Sequence, residues 1–380
     1  MKIKSFAHIA VILLTIILIV EILDYTSIFN KEKNEKESKI ISLQSQIDNA
    51  NSKDTIILLN NTYFEKIIID KELTLKGNKN KTIIDGNSNG TIIEIISNNV
   101  KLINLTIKNS GGHKKDSAIN IKSDGNEIKN CIVYKNRNGI KLENSKDNQI
   151  KNCFIHNNGQ GIFSTSSGEN IIDNSQFRNN GFGIFLKNSF EDEIKNSYIY
   201  YNGLGIYLKN CENTNILDSA VCDNNQDGGG IWSFGSNNLN IFNSNVNHNG
   251  AGVRLENTIA NISNLNLSNN MYNTFRIIDV KDTKISKCNI KNSYRTAIYA
   301  QDSSFNLENS NIINSGLYGL EIKGNTNALV KNNYWNYFLG PSKTLYGKGD
   351  AILFNPFKYK AFPWKVKEIQ NIGCNWNVKD

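Results

Sequence analysis

The sequence is dominated by a repeat of 22 residues. Between Asn126 and Ser219 the pattern Asn-x-Ile-x-Asn-(Cys/Ser), followed by Asn-x-x-Gly-Ile, occurs four times. Its glycines lie 22 residues apart, at Gly139, Gly161, Gly183 and Gly205. A repeat this short cannot bury its own apolar face and must stack on its neighbours. The sequence therefore predicts a solenoid.

The pattern inside the repeat predicts strands. After each glycine, apolar and variable residues alternate with a period of two, as in a β-strand. The first apolar column contains Ile140, Ile162, Ile184, Ile206, Ile231, Val253, Phe275, Ile298 and Leu320. β-Branched residues favour strands, and the intervening asparagines and glycines favour tight corners. Leucine-rich repeats have the same length, but their leucine scaffold is absent. We therefore expect an all-β fold, a parallel β-helix with coils of about 22 residues over residues 55–335.

The N-terminus carries an apolar segment. Residues 6–23 are almost all apolar, follow Lys2 and Lys4, and are longer than the core of a cleaved signal peptide. We expect residues 1–24 to form a signal anchor, a transmembrane helix that leaves the N-terminus in the cytoplasm. The rest of the chain would then be extracytoplasmic, in the periplasm or at the cell surface. Whether the segment is later cleaved stays open.

Three further segments flank the repeats. Residues 25–39 are mostly charged or polar and are expected to form a linker. Residues 40–54 have apolar residues at helical spacing, and this helix is expected to cap the open end of the solenoid, because its backbone groups would otherwise be unpaired. The aromatic residues and prolines after Trp335 predict a C-terminal cap and tail over residues 336–380.

Charge narrows the class of partner. The net charge is +8, and residues 1–54 hold seven basic and seven acidic residues, so the excess lies on the solenoid. A modest positive field favours acidic partners such as anionic glycans. No arginine-rich run is present, and no nucleic-acid partner is predicted.

The six cysteines follow the repeat rather than a metal motif. Cys131, Cys153 and Cys288 stand in a column otherwise filled by serine, and Cys211 stands in a second serine column. They are interpreted as small residues replacing serine. No Cys-x-x-Cys and no Cys/His cluster of ligand spacing occurs, so no metal site is predicted.

Both ends of the solenoid resemble a known family. Residues 47–86, "IDNANSKDTIILLNNTYFEKIIIDKELTLKGNKNKTIIDG", and residues 332–342, "NNYWNYFLGPS", resemble the pectate-lyase-like right-handed parallel β-helix repeat proteins of carbohydrate-binding and sugar-hydrolase type, a group that includes NosD-like proteins. The resemblance covers residues 40–364 and implies a right-handed β-helix. It leaves the activity open, because this fold hosts lyases, hydrolases, epimerases and non-catalytic proteins. Copper delivery, which a NosD-like role would imply, is disfavoured by the scarcity of His and Met.

Two features inside the repeats are informative. One asparagine column, which contains Asn130, Asn152, Asn174 and Asn196, predicts an internal ladder of stacked amides. The coil from Ser219 to Ser244 is 25 residues long, and its extra residues lie around "DNNQDGG". Extra residues in a solenoid form loops on one face.

The outward column after each glycine suggests a binding surface. We call it the outer stripe, and it consists of Lys141, Phe163, Phe185, Tyr207, Trp232, Arg254, Arg276, Tyr299 and Glu321. Phe234 lies in the next outward column. Aromatic rings stack on sugar faces, and arginine pairs with carboxylates. The substrate-binding residues predicted for a linear, acidic polysaccharide are thus Phe163, Phe185, Tyr207, Trp232, Phe234, Arg254, Arg276 and Tyr299. Alternatively, the aromatics only cover their strand neighbours, or contact another copy in a homo-oligomer or surface layer.

Catalysis is a second hypothesis. Asp227 on the long coil and His248 are the candidate acid and base for β-elimination, hydrolysis or epimerisation of a uronate held by Arg254 and Arg276. No cofactor is evident, and Ca²⁺ is a candidate only for a lyase. The third hypothesis is a structural surface protein or adhesin without catalysis.

Overall fold

The computed structural model describes residues 18–27, 42–225, 229–337, 340–342, 350–353, 359–360 and 363–374. The chain divides into two compact units, Met1–Asn49 and Ala50–Asp380. In the first unit, residues 18–27 are helical and a second helix spans Leu43–Asn49, with Leu43 and Ile47 buried. Within these described ranges, no helix is both long and apolar enough to cross a membrane. Most of the predicted anchor and of the linker lies outside them.

The second unit is a parallel β-helix of three sheets and about 13 coils, right-handed as expected. Sheet A contains Thr55–Ile57, Thr74–Lys76, Lys101–Ile103, Glu127–Lys129, Gln149–Lys151, Ile171–Asp173, Glu193–Lys195, Asn215–Leu217, Leu239–Phe242, Ala260–Ser263, Thr283–Ser286, Ser304–Glu308, Asn327–Lys331 and Tyr359–Lys360. Sheet B contains Thr62–Tyr63, Ile83–Asp85, Thr106–Lys108, Ile132–Tyr134, Phe154–His156, Gln176–Arg178, Tyr198–Tyr200, Ala220–Cys222, Asn245–Asn247, Asn266–Ser268, Asn289–Lys291, Asn311–Ile313, Asn333–Tyr334 and Trp364–Lys365. Sheet C contains Ile67–Ile69, Ile93–Ile95, Ser117–Ile121, Asn138–Glu143, Gln160–Thr165, Phe182–Lys187, Leu204–Lys209, Ile231–Phe234, Val253–Glu256, Phe275–Ile278, Ile298–Gln301, Leu320–Lys323 and Ile352–Leu353.

The strand register confirms the period read from the sequence. In sheet C, Ile140 pairs with Ile162 and Ile162 with Ile184, so partners lie 22 residues apart. These isoleucines point into the coil and are 0% exposed. Each is covered by the same residue type in the coils before and after it, and this stacking is what one repeat alone cannot provide.

The column that contains Asn130, Asn152 and Asn174 is not the internal ladder that the sequence predicts. These residues turn the corner between sheets A and B, with φ of 54°, 55° and 45°. Asn152 and Asn174 are exposed to solvent. Asparagine adopts left-handed backbone at lower cost than most residues. The repeat therefore uses asparagine here for its backbone conformation. Asn174 Nδ2 still donates to Asn152 Oδ1 at 2.8 Å, so these amides bond from coil to coil, but the prediction that they lie inside the solenoid was wrong.

A different column forms the principal internal ladder. It contains Asn136, Asn158, Asn180, Asn202, Asn224, Asn249 and Asn270, all buried. Each Oδ1 accepts the backbone N–H of the preceding member, as Asn180 Oδ1 accepts from Asn158 N at 3.0 Å. Asn180 Nδ2 donates to Asn202 Oδ1 at 3.0 Å and to the carbonyl of Ile155 at 3.1 Å. These amides thus satisfy backbone groups at the corner between sheets B and C, which would otherwise be buried and unpaired.

A shorter ladder lies at the corner between sheets C and A. It consists of Asn126, Asn148 and Asn170 and ends at Asp192, whose Oδ1 accepts from the N–H and Nδ2 of Asn170 at 3.0 and 2.9 Å. The second carboxyl oxygen of Asp192 is buried without a partner. Burial raises the pKa of Asp192 to about 7.

The cysteines are all thiols, and Cys131, Cys153, Cys211 and Cys288 are buried. The backbone N–H of Cys153 donates to Ser175 Oγ, as the serines of this column do to one another. Replacement of serine by cysteine in this column therefore agrees with the structure.

The register places the extra residues of the long coil between sheets B and C. Ten positions separate Val221 from Ile231, against seven from Ile199 to Ile206 in the preceding coil. The backbone of Asn225 still follows the coil, because its N–H donates to the carbonyl of Asn202 at 2.8 Å.

All three sheets continue after Trp335, which is fully buried. The strands Ile352–Leu353, Tyr359–Lys360 and Trp364–Lys365 each extend one sheet by a further strand. Residues 368–374 then run back across the outer face of sheet B. There, Asn311 Nδ2 donates to the carbonyl of Ile369 at 3.0 Å, and Asn289 Nδ2 to that of Ile372 at 2.7 Å.

Candidate functional site

The outer stripe is a continuous column on the outer face of sheet C. Its members are consecutive Cα partners from Lys141 through Phe163, Phe185, Tyr207, Trp232, Arg254, Arg276 and Tyr299 to Glu321. Because both flanking positions point into the coil, these side chains must point outward. The stacking predicted from the 22-residue period is therefore present.

Four of these side chains, Phe163, Phe185, Tyr207 and Trp232, form what we call the aromatic row. Successive ring centroids are 5.2, 4.8 and 4.9 Å apart. Phe182, which the sequence analysis did not single out, adds a ring 5.5 Å from that of Phe185. All these rings are half-buried. Interplanar angles of 25° to 37° show that each ring leans on the next, so part of each ring face is covered by its neighbour and the rest of the ring remains accessible.

The two arginines that follow the aromatic row differ in their partners. The guanidinium of Arg254 lies 4.2 Å from the Trp232 ring, and its Nε donates to Glu256 Oε1 at 2.6 Å. Arg276 lies 5.5 Å from the Tyr299 ring. Among the described residues Arg276 has no carboxylate partner, and its Nε is buried without an acceptor. Arg254 is thus neutralised within the protein, whereas Arg276 retains a free positive charge.

The remaining predicted residues lie beside the stripe or away from it. Phe234 occupies the adjacent outward column, between Lys209 and Glu256, and is 40% exposed. His248 lies at the corner after sheet B, is exposed, and its Nε2 is 3.2 Å from Asn269 Nδ2. No contact joins His248 to either arginine of the stripe. Asp227 lies outside the described residues.

Nothing in the described residues forms a metal site. No group of three or more His, Cys, Asp or Glu side chains is arranged there to hold a metal ion. The stripe provides a row of partly exposed aromatic rings and one free cation, which suits binding of a ligand with apolar surfaces and negative charge.

A second aromatic surface, which was not predicted from the sequence, lies on the outer face of sheet B. We call it the sheet-B cluster: Tyr134, Phe154, His156, Arg178, Tyr198 and Tyr200. The His156 ring stacks 4.3 Å from Phe154 and 5.1 Å from Tyr134. Burial, and then the charge of Arg178, lower the pKa of His156. The outward positions on either side of the column Val133, Ile155, Phe177 and Ile199 would have indicated this cluster.

A charged cavity of about 300 Å³ was also not predicted from the sequence. It lies on the outer face of sheet C, next to the aromatic row, and is lined by Glu94, Asn120, Lys122, Lys141, Glu143 and the loop residue Lys115. Glu94, Lys115 and Lys122 come from coils that precede the regular repeats, so the 22-residue alignment does not place them in a column with Lys141 and Glu143.

The comparisons with known proteins agree with this architecture. The family model described as the right handed beta helix region matches residues 117–271 and 273–355. No curated protein matches the sequence. Three solved structures illustrate the similarity in fold. The catalytic unit of an α-1,3-glucanase from Streptomyces thermodiastaticus is 12% identical with a TM-score of 0.53, over 84% of this chain and 66% of that one. A family 28 exopolygalacturonase from Yersinia enterocolitica is 10% identical with a TM-score of 0.52, and the match covers 75% of this chain and 74% of that one. The pectate lyase Pel9A is 15% identical with a TM-score of 0.46, and the match covers 60% of this chain and 71% of that one. At these identities the likeness concerns the fold alone.

Proposed function

Because the chain belongs to the right-handed β-helix family, we propose that it binds a linear, acidic polysaccharide along the aromatic row. The observation that carries the proposal is the uninterrupted row of four half-buried rings, followed along the same column by the unpaired Arg276. Apolar rings in a row on a solvent-facing sheet are costly unless something covers them.

The ligand class follows from chemistry. A polysaccharide presents a repeating series of ring faces, which matches rings repeated once per coil. A carboxylate on the same polymer would pair with Arg276, and the pair is stronger because the Tyr299 ring already removes water from one face of the guanidinium. Proteins of similar fold include an α-1,3-glucanase and an exopolygalacturonase, whose names specify glycan substrates.

Binding rather than catalysis is the better-supported activity. The catalytic hypothesis needs Asp227 or His248 beside the arginines that hold the uronate. Asp227 is not among the described residues, and His248 contacts Asn269 at the corner after sheet B. No observation favours a proton-transfer step at the stripe.

The proposal includes membrane attachment through residues 6–23, with the β-helix outside the cytoplasm. It rests on the length and apolar character of that segment and on the preceding Lys2 and Lys4. Alkaline extraction of cell membranes tests it: the full chain should stay in the membrane pellet and a variant that begins at residue 25 should not. Release of both would refute the anchor.

The variant Tyr207→Ala tests the binding surface. Tyr207 stacks between Phe185 and Trp232, so its loss opens a gap in the row, and we expect the affinity for polygalacturonate or alginate to fall about tenfold. Phe242→Ala is the matched control, because Phe242 is an outward ring on sheet A and is 43% exposed. Titration calorimetry with both polymers measures the effect. Equal affinities for the two variants and the parent protein would refute the aromatic row as the binding surface.

Arg276→Gln tests the charge. It should weaken binding of the acidic polymer and leave binding of a carboxyl-reduced, neutral version of the same polymer unchanged, since only the former offers a carboxylate. Equal losses for both polymers would show that Arg276 contributes packing rather than charge recognition.

A further inference from the structure

The charged cavity beside the aromatic row has a defined structural origin. In sheet C, Ile93 pairs with Ile119, 26 positions later, whereas Ile140 pairs with Ile162 at 22. The longer coil contains the loop that joins the strand ending at Lys108 to the strand beginning at Ser117. The buried Asp116 holds this loop, because its Oδ2 accepts the N–H of His113 at 2.8 Å. The loop therefore projects beside the sheet and brings Lys115 to the cavity.

Two of the three lysines that line the cavity form ion pairs, and the third has none among the described residues. Lys122 Nζ lies 2.5 Å from Glu94 Oε1, and Lys141 Nζ lies 2.9 Å from Glu143 Oε2. Within the part of the chain that the structure describes, Lys115 has no carboxylate partner. Two cations are thus neutralised by two carboxylates, and one exposed cation remains at the rim.

One polar atom in the cavity lacks a hydrogen-bond donor. Asn120 is only 6% exposed, yet its Oδ1 accepts no hydrogen bond. Its amide side interacts with Glu143, which leaves Oδ1 as the unused group. A buried acceptor without a donor is costly, so a ligand that supplies an O–H or N–H to Oδ1 would be stabilised here.

The cavity is continuous with the aromatic row. Asn120 and Lys141 are Cα partners in the outward column, and Lys141 is in turn the partner of Phe163, the first ring of the row. A saccharide chain that lies on the row therefore reaches Asn120 two coils beyond Phe163, at the strand spacing of about 4.8 Å per coil.

We propose that this cavity is a subsite for one uronate residue of the polysaccharide. A sugar hydroxyl donates to Asn120 Oδ1, and the sugar carboxylate pairs with the ammonium of Lys115. The ion pairs Lys122–Glu94 and Lys141–Glu143 hold the walls of the cavity. The other carboxylate oxygens of Glu94 and Glu143 accept hydrogen bonds from further sugar hydroxyls. This subsite rests on the proposed function, because it extends the same ligand beyond the aromatic row.

The test uses the full chain and a defined oligogalacturonate, with its carboxyl-reduced neutral counterpart as the second probe. Asn120→Leu should lower the affinity for both probes about tenfold, since the hydroxyl loses its acceptor. Lys115→Met should lower the affinity for the acidic probe about tenfold and leave the neutral probe unchanged. Asn306→Leu, an outward asparagine on sheet A, is the matched control.

The outcomes separate the subsite from the binding proposal. If Tyr207→Ala weakens binding while Asn120→Leu and Lys115→Met bind as the parent does, the subsite is refuted and the aromatic row stands. If the parent protein binds neither probe, both proposals fail. If Lys115→Met weakens both probes equally, Lys115 does not recognise the carboxylate and the assignment of a uronate to this subsite is wrong.

Discussion

Replacing Asn180 by alanine is expected to lower the free energy of unfolding by about 3 kcal/mol. Asn180 Oδ1 is the acceptor for the backbone N–H and the Nδ2 of Asn158, and both groups are buried. Alanine leaves the backbone N–H of Asn158 without a partner and a small cavity between two coils. The loss should appear as a lower midpoint in urea denaturation followed by circular dichroism.

Asn174→Gly is the matched control for that variant. Asn174 belongs to the exposed corner column with a left-handed backbone, which glycine adopts without strain. Its stability should therefore stay within about 0.5 kcal/mol of the parent. If the glycine variant were the more destabilised of the two, the exposed column, and not the column of Asn180, would be the internal ladder.

Replacing Asp192 by asparagine is expected to stabilise the protein at neutral and alkaline pH. The folded-state pKa of Asp192 is raised to about 7 by burial, so the folded protein retains a proton that the unfolded chain loses near its ordinary value of 3.8. Between these two pH values the folded state binds more protons than the unfolded state, and stability falls as pH rises. Above about pH 7 the penalty is constant, at up to about 4 kcal/mol for a difference of this size.

Asparagine at this position extends the ladder of Asn126, Asn148 and Asn170 by a fourth amide and carries no charge. Asp192→Asn should therefore equal the parent in stability near pH 4 and exceed it by roughly 2–4 kcal/mol near pH 8. The exposed variant Asp147→Asn, which serves as the control, should equal the parent in stability at both pH values. Urea denaturation midpoints measured at both pH values test this prediction. If the stability of the parent changes between pH 4 and pH 8 by as much as that of Asp192→Asn, then Asp192 is not a neutral carboxyl in the folded protein.

The fold could be predicted because the 22-residue repeat indicates directly which side chains point inward and which residues stack. The alternation around Ile140 and its equivalents specifies which side chains point inward, and a 22-residue period allows them to stack only if the coils wind in register. The same alternation placed Phe163, Phe185, Tyr207 and Trp232 outward. No three-dimensional information was needed for these assignments, because in a solenoid the neighbours in space are set by the period.

Three aspects of the structure could not be predicted from the period. The asparagine columns are equivalent in sequence, and only the backbone angles distinguish the exposed corner at Asn152 from the buried ladder at Asn158. The pairing of Arg254 with Glu256 and the freedom of Arg276 depend on side-chain conformations, which a column of residue types does not specify. The cavity at Asn120 was not predicted because the coils on either side of Asn120 depart from the 22-residue period.

The most direct test of polysaccharide binding is a structure of the protein with a bound oligogalacturonate. We expect sugar rings packed against Tyr207 and Trp232, with a carboxylate within hydrogen-bond distance of Arg276. A saccharide bound instead on the sheet-B cluster at Tyr134 and His156, with the aromatic row left empty, would contradict the proposed binding surface.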